Sequence, residues 1–92
     1  EAENKEIPRI LMRSHLSERF LKSYQVAPSH LRRAFDRKLT LLLQNLRHPS
    51  LHAKKYDESS GIWQARVNDS VRFYFRIEGD TYILINIRKH GK

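Results

Sequence analysis

The sequence contains no cysteine. That removes both a disulfide framework and any thiolate metal site, and it suits a reducing cytosol. Glycine is nearly absent as well: Gly61, Gly79 and Gly91 lie in turns or at the end, so no glycine-rich loop can cradle a phosphate. No apolar run approaches the ~20 residues that a membrane helix needs, and no stretch joins a basic start to an apolar middle as a signal peptide does. A cytoplasmic protein with no membrane partner is therefore expected. Acidic residues are scarce too, with ten Asp+Glu against eighteen Lys+Arg and a formal charge of +8. Three of the acids, Glu1, Glu3 and Glu6, fall in the first six residues, which leaves the rest of the chain more basic than the total. Such a balance calls for a polyanionic partner, nucleic acid first, or for an acidic protein that neutralises it. The five histidines show no metal-ligand spacing; His48 and His52 are four apart, but Pro49 between them opposes the helix that would align them. Neither metal nor cofactor is expected.

What is present is a stretch of alternating residues from Gly61 to His90. Its three runs, Ile62–Asn68, Val71–Ile77 and Tyr82–Arg88, are joined by Asn68-Asp69-Ser70 and Glu78-Gly79-Asp80, and together they predict an antiparallel meander. Strict alternation sorts the side chains by face. Trp63, Ala65, Val67, Val71, Phe73, Phe75, Ile77, Ile83, Ile85 and Ile87 form an apolar wall. The opposite face receives Gln64, Arg66, Arg72, Tyr74, Arg76, Tyr82, Leu84, Asn86, Arg88 and His90. A merely solvated face carries mixed charge. Here the strand interiors supply only cations, and Asp69, Glu78 and Asp80 sit in the turns.

Ninety-two residues suffice for one small domain, read as 8–92 behind a disordered leader at 1–7. Pro8–Arg13 is read as an edge strand, although Ile10-Leu11-Met12 also fits the opening of the next helix. Ser14 or Ser17 caps a first helix to about Gln25, with Leu16, Phe20, Leu21 and Tyr24 as its stripe. Ser29 caps a second, in which Leu31, Phe35, Leu39, Leu42 and Leu46 recur at helical spacing. Arg32, Arg33, Arg37 and Lys38 lie largely on its outer side, where position alone makes them a solvated face. Pro49 closes this helix. Lys54 and Lys55, ordinary loop lysines by position, lead into the first meander strand. The expected architecture is α+β, in the order β-α-α-β-β-β, with a helical hairpin on one face of a small antiparallel sheet whose other face is open.

A cluster of Arg, Lys and His without metal ligands can cleave RNA. The ribose 2′-OH attacks the adjacent phosphorus, cations hold the growing charge, and an acid protonates the leaving 5′-oxygen. Histidine, with an ordinary pKa of about 6.5, suits the proton transfer. DNA lacks the nucleophile.

Four pieces occur in order: the helical pair, LLLQNLRHPSLHAKKY, the hairpin GIWQARVNDSVRFYFRI, and a last strand ending INIRKH. Together they resemble the RelE/ParE superfamily of bacterial toxin–antitoxin toxins, from about Pro8 to His90. The resemblance implies the RelE-like microbial ribonuclease fold and, in its RelE branch, a ribosome-dependent mRNA endoribonuclease that works without a metal. Carried over by motif, Lys54 or Lys55 corresponds to the lysine before the first meander strand, Arg66 to the basic residue within it, and Arg72 to the arginine opening the next. His90 falls where such nucleases place a catalytic Arg or His. On this reading Arg72 stabilises the transition-state phosphate, Arg66 and a lysine bind flanking phosphates, and His90 is the general acid, or the base in a subfamily arranged differently; Lys54 or Lys55 assists deprotonation of the 2′-OH only with a lowered pKa. Lys54 is counted with the catalytic set; Lys55, Arg76, Arg88 and Tyr74 are counted with RNA binding, Arg88 toward rRNA. Many members carry an aromatic beyond the last strand that stacks on the substrate base; none follows His90, and Tyr74 or Tyr82 is the substitute. The resemblance also implies a cognate antitoxin with an acidic segment that covers the basic face. The alternatives are the ParE branch, non-enzymatic inhibitors of gyrase, and an RNA-binding module without catalysis.

Overall fold

The computed structural model describes residues 12–90. The expected leader at 1–7, and most of the segment expected as an edge strand at 8–13, lie outside them. The order is β1 (Arg13–Leu16), α1 (Glu18–Val26), α2 (Ser29–Gln44), a 3-10 turn (Pro49–Leu51), β2 (Lys54–Asp57), β3 (Ile62–Arg66), β4 (Val71–Glu78) and β5 (Thr81–Lys89). The strands form one sheet in the order β1-β5-β4-β3-β2, antiparallel except where β1 runs parallel to β5. The meander of β3, β4 and β5 is as expected. The passage Lys54–Asp57 is itself a strand, so the sheet has one more strand than β-α-α-β-β-β provides for.

Leu16 belongs to β1, not to the stripe of the first helix, and Ser17 is the cap: its Oγ accepts from the Phe20 amide at 3.1 Å. Ser29 opens α2 from inside it. Pro28 is the residue at the cap position, and its carbonyl accepts from the amides of Leu31 and Arg32. A proline whose φ is already near −60° suits that entry. Both helices lie on one face of the sheet. Phe20 from α1 and Phe35 and Leu42 from α2 are fully buried against Phe73, Phe75, Leu84 and Ala65. Their rings form a continuous chain: Phe20 to Phe35 at 4.9 Å, Phe35 edge-on to Phe73 at 5.2 Å, Phe73 to Phe75 at 5.7 Å, and Phe75 edge-on to Tyr82 at 5.5 Å. Leu51, in the 3-10 turn, closes the core beneath α2.

Strict alternation fails in β5. Tyr74 pairs with Asn86 but Phe75 pairs with Leu84, so Ile85 is an extra residue and the strand carries a bulge. Beyond it the faces exchange. Tyr82 and Leu84, expected on the open face, are buried in the core at 4% and 0% exposure, while Ile83, expected in the wall, stands opposite Arg76. A single inserted residue reverses every side chain on one side of it. The bulge is also where α1 begins. The Ser17 amide donates to the Leu84 carbonyl at 2.9 Å and the Ser17 hydroxyl to the Ile85 carbonyl at 3.1 Å, so the carbonyls disturbed by the bulge are satisfied by the helix cap.

Candidate functional site

The open face is built by register. Arg66 pairs directly with Arg72, and Arg72 with Arg88, so three arginines stand in register across β3, β4 and β5. Like charges directly opposite one another destabilise a sheet, and among the described residues no ion pair engages Arg66, Arg72 or Arg88. Arg72 is nearly buried, at 7% exposure. Its Nη1 donates to the carbonyls of Asn68 at 2.8 Å and Asp69 at 3.2 Å, with a longer approach to that of Val71 at 3.4 Å. The first two carbonyls belong to the β3–β4 turn, which Asn68 shapes by accepting the amides of Ser70 and Val71 on its Oδ1. The turn therefore holds the guanidinium in place by neutral oxygens and leaves its charge uncompensated.

A cavity of about 370 Å³ opens beside this row. It is lined by His52, Lys54, Gln64, Arg66, Arg72 and His90, with Ala53 between the first two. Four of the residues expected from the sequence, Lys54, Arg66, Arg72 and His90, thus meet in one place. His90 is held by its own backbone, whose amide donates to the Ser70 carbonyl at 2.7 Å. Among the described residues no three His, Cys, Asp or Glu side chains are grouped to hold a metal ion.

The remaining expected residues lie elsewhere. Lys55 pairs with Trp63, on the helix side of the sheet; its Nζ stands 5.4 Å from the Trp63 ring centre and 3.4 Å from Glu58. Arg76 is paired with Glu78, 3.1 Å from Nη2 to the carboxylate. Arg88 and Tyr74 form a neighbouring cluster with the Arg88 guanidinium 5.1 Å over the Tyr74 ring. Hydrogen bonding to the Tyr74 hydroxyl holds Arg88 above the ordinary arginine range. Gln64 donates to the same hydroxyl at 3.1 Å. Tyr82, the second candidate for a stacking aromatic, is in the core.

Two residues on the open face were not anticipated. Tyr56, half exposed, meets Tyr74 edge-on at 4.9 Å. No periodicity in Lys54-Lys55-Tyr56 signalled it; only pairing with β3 makes the segment a strand. His52 lines the cavity from the loop before β2, and nothing in the residue pattern separated it from His48. Behind it, the half-buried Lys38 donates from Nζ to the Ser50 carbonyl at 3.0 Å. Burial pushes the Lys38 ammonium below the ordinary lysine range, and the charges of Arg66 and Arg37 push the same way.

No family model and no curated protein matches the sequence. Solved structures do match. The YoeB/ParE toxin from Agrobacterium tumefaciens superposes with a TM-score of 0.72 at 15% identity, over 87% of this chain and 100% of that one. The archaeal RelE of the RelE–RelB complex from Pyrococcus horikoshii OT3 gives 0.75 at 15% identity, over 89% and 98%. YafQ from E. coli gives 0.71 at 17% identity, over 86% and 93%. The fold is therefore the RelE-like fold shared by RelE, YoeB, YafQ and ParE toxins.

Proposed function

We propose that this chain, with its RelE-like fold, is a toxin of a toxin–antitoxin pair, and that it is an endoribonuclease that cuts mRNA on the ribosome. The observation that carries the reading is the uncompensated row of Arg66, Arg72 and Arg88 beside a cavity that also receives Lys54 and His90. A nearly buried guanidinium with no carboxylate partner is costly unless an anion completes it. A phosphodiester is an anion of the right charge, and two of the strand positions that would grip it, Arg66 and Arg72, are set on rigid paired backbone.

In this mechanism Arg72 faces the scissile phosphate and takes up the negative charge that grows on its oxygens, while Arg66 and Lys54 hold the flanking phosphates. Cleavage begins with attack of the ribose 2′-oxygen on phosphorus. It ends with protonation of the leaving 5′-oxygen by His90, giving a 2′,3′-cyclic phosphate and a 5′-hydroxyl. The Tyr74–Arg88 cluster lies next to this path and supports contact with RNA bases and backbone. The partner of the toxin is an antitoxin with an acidic segment that lies over the arginine row. Among the neighbours in fold, RelE and YafQ were solved in complex with RelB and DinJ.

The test is cleavage of mRNA in a translating extract, mapped by primer extension, for the chain and for Arg72→Ala and His90→Ala. Cuts within A-site codons are expected from the parent, with rates reduced by about 10²–10³ in either variant. Intact mRNA and undiminished translation with the parent would overturn the nuclease reading, and supercoiling by gyrase would be the next assay.

A further inference from the structure

We infer that His52 is the general base of this site, acting from the flank opposite His90. The inference rests on the nuclease reading above and adds a residue to it.

Three observations carry it. First, His52 has φ 48° and ψ 43°, and is the one non-glycine residue with positive φ among the described residues. A left-handed backbone is strained for a side chain with a Cβ, and glycine would adopt it without cost. Such strain persists where the surroundings impose it, and it gathers at functional sites. Second, the surroundings do impose it, from outside the cavity. The 3-10 turn before His52 is fixed by Leu51, fully buried in the core, and by Lys38 donating to the Ser50 carbonyl at 3.0 Å. His48 Nδ1 accepts the Ser50 amide at 3.2 Å and meets the Ser50 hydroxyl at 3.0 Å. The turn is closed by the His52 amide, which donates to the Pro49 carbonyl at 3.2 Å. Third, the side chain held in this way is exposed and lines the cavity shared by Arg66, Arg72 and His90.

Topology gives the role. His52 enters from the β2 edge, His90 from the end of β5, and the arginines of β3 and β4 lie between them. Three strand spacings, roughly 14 Å, separate β2 from β5, so imidazoles reaching inward from these two flanks bracket a phosphodiester held by Arg72. In-line displacement needs its base and its acid on opposite sides of phosphorus. His52 takes the proton of the 2′-hydroxyl as the bond from the 2′-oxygen to phosphorus forms; the bond from phosphorus to the 5′-oxygen breaks, and His90 gives that oxygen its proton. One histidine ends protonated and the other deprotonated, and exchange with water restores both. No oxidant, metal or further reactant enters the balance.

The experiment uses a 5′-labelled mRNA on programmed ribosomes and two substitutions compatible with the left-handed backbone, His52→Gly and His52→Asn. Both are expected to fold, with melting temperatures equal to or above the parent. Both should cut at least about 100-fold more slowly while binding the programmed ribosome as the parent does. Added imidazole should restore cutting in His52→Gly, which leaves space for it, and not in His52→Asn. Cutting within about threefold of the parent in either variant, or loss that follows ribosome binding and is not restored by imidazole, overturns the assignment while leaving the nuclease reading intact. A parent chain that cuts nothing overturns that reading and this role with it.

Discussion

The two faces of the sheet obey opposite rules. On the helix side, Phe73 and Phe75 from β4 meet Phe20, Phe35 and Leu84, each fully buried and each satisfied by its neighbours. On the open side, the same strand places Arg72 between Arg66 and Arg88 with no carboxylate among them, and the nearby loop holds His52 in a left-handed conformation. Alternate residues of one strand therefore contribute to stability and subtract from it. The difference teaches how to read the open face: under the proposed function its groups are arranged for a polyanion that is not part of the chain.

The comparison breaks most sharply at β5, where the bulge decides which residues belong to which face. Leu84→Lys puts an unpaired ammonium where there is no water, and is expected to leave the chain unfolded or destabilised by more than about 4 kcal/mol. Ile83→Lys, one residue away, should fold with a change within about 1 kcal/mol, since that position stands beside Arg76 on the far face. Urea unfolding of the pair checks this. Uninterrupted alternation predicts the reverse order, so equal or inverted effects would remove the bulge from the fold.

That bulge also marks the limit of what the sequence discloses. The meander and the helical pair were legible from hydrophobic spacing, and Arg66, Arg72 and His90 were sorted to one face because residues two apart on a strand share a face; Lys54, a loop lysine by position, joined them only through the family resemblance. Ile83, Leu84 and Ile85 are all aliphatic, so nothing in their chemistry shows where the phase shifts; Asn86, whose Oδ1 accepts the Ile87 amide, is the nearest local sign. The strand β2 was hidden for a related reason. Four exposed residues, Lys-Lys-Tyr-Asp, have no apolar period, and only pairing with β3 makes them a strand. That pairing also puts the two neighbouring lysines on different sides, sending Lys54 to the cavity and Lys55, counted with RNA binding, over Trp63. His52 was illegible because its position depends on a backbone dihedral that residue type does not advertise.

A smaller effect sharpens the contrast between the faces. Replacing one member of the arginine row should stabilise the chain, whereas truncation of any core residue destabilises it. Arg66→Gln is expected to raise unfolding stability by about 0.2–1 kcal/mol at low salt, because a like-charge neighbour of Arg72 is removed. The gain should shrink as sodium chloride is raised to about 0.5 M, where screening already separates the charges. Binding of RNA should weaken in the same variant. Loss of stability in Arg66→Gln at low salt would mean that the row is already compensated and would remove the main physical argument for an anionic ligand.

The smallest expected effect lies in the core, at Tyr82. Burial raises its hydroxyl above the ordinary tyrosine value, because the core disfavours the phenolate. The sign follows from linkage. The folded state holds the proton more tightly than the unfolded state, so the contribution to stability is complete below about pH 10 and is lost as pH rises through the raised value. Tyr82→Phe keeps the ring that meets Phe75 edge-on and removes the titrating group. At neutral pH it should change stability by less than about 1 kcal/mol, while above pH 10 it should unfold less readily than the parent. Absorbance titration of the phenolates alongside denaturant melts at pH 8 and pH 10.5 measures both. If Tyr82 stood exposed on the open face, as unbroken alternation requires, burial would not raise its hydroxyl and the two proteins would lose stability in parallel.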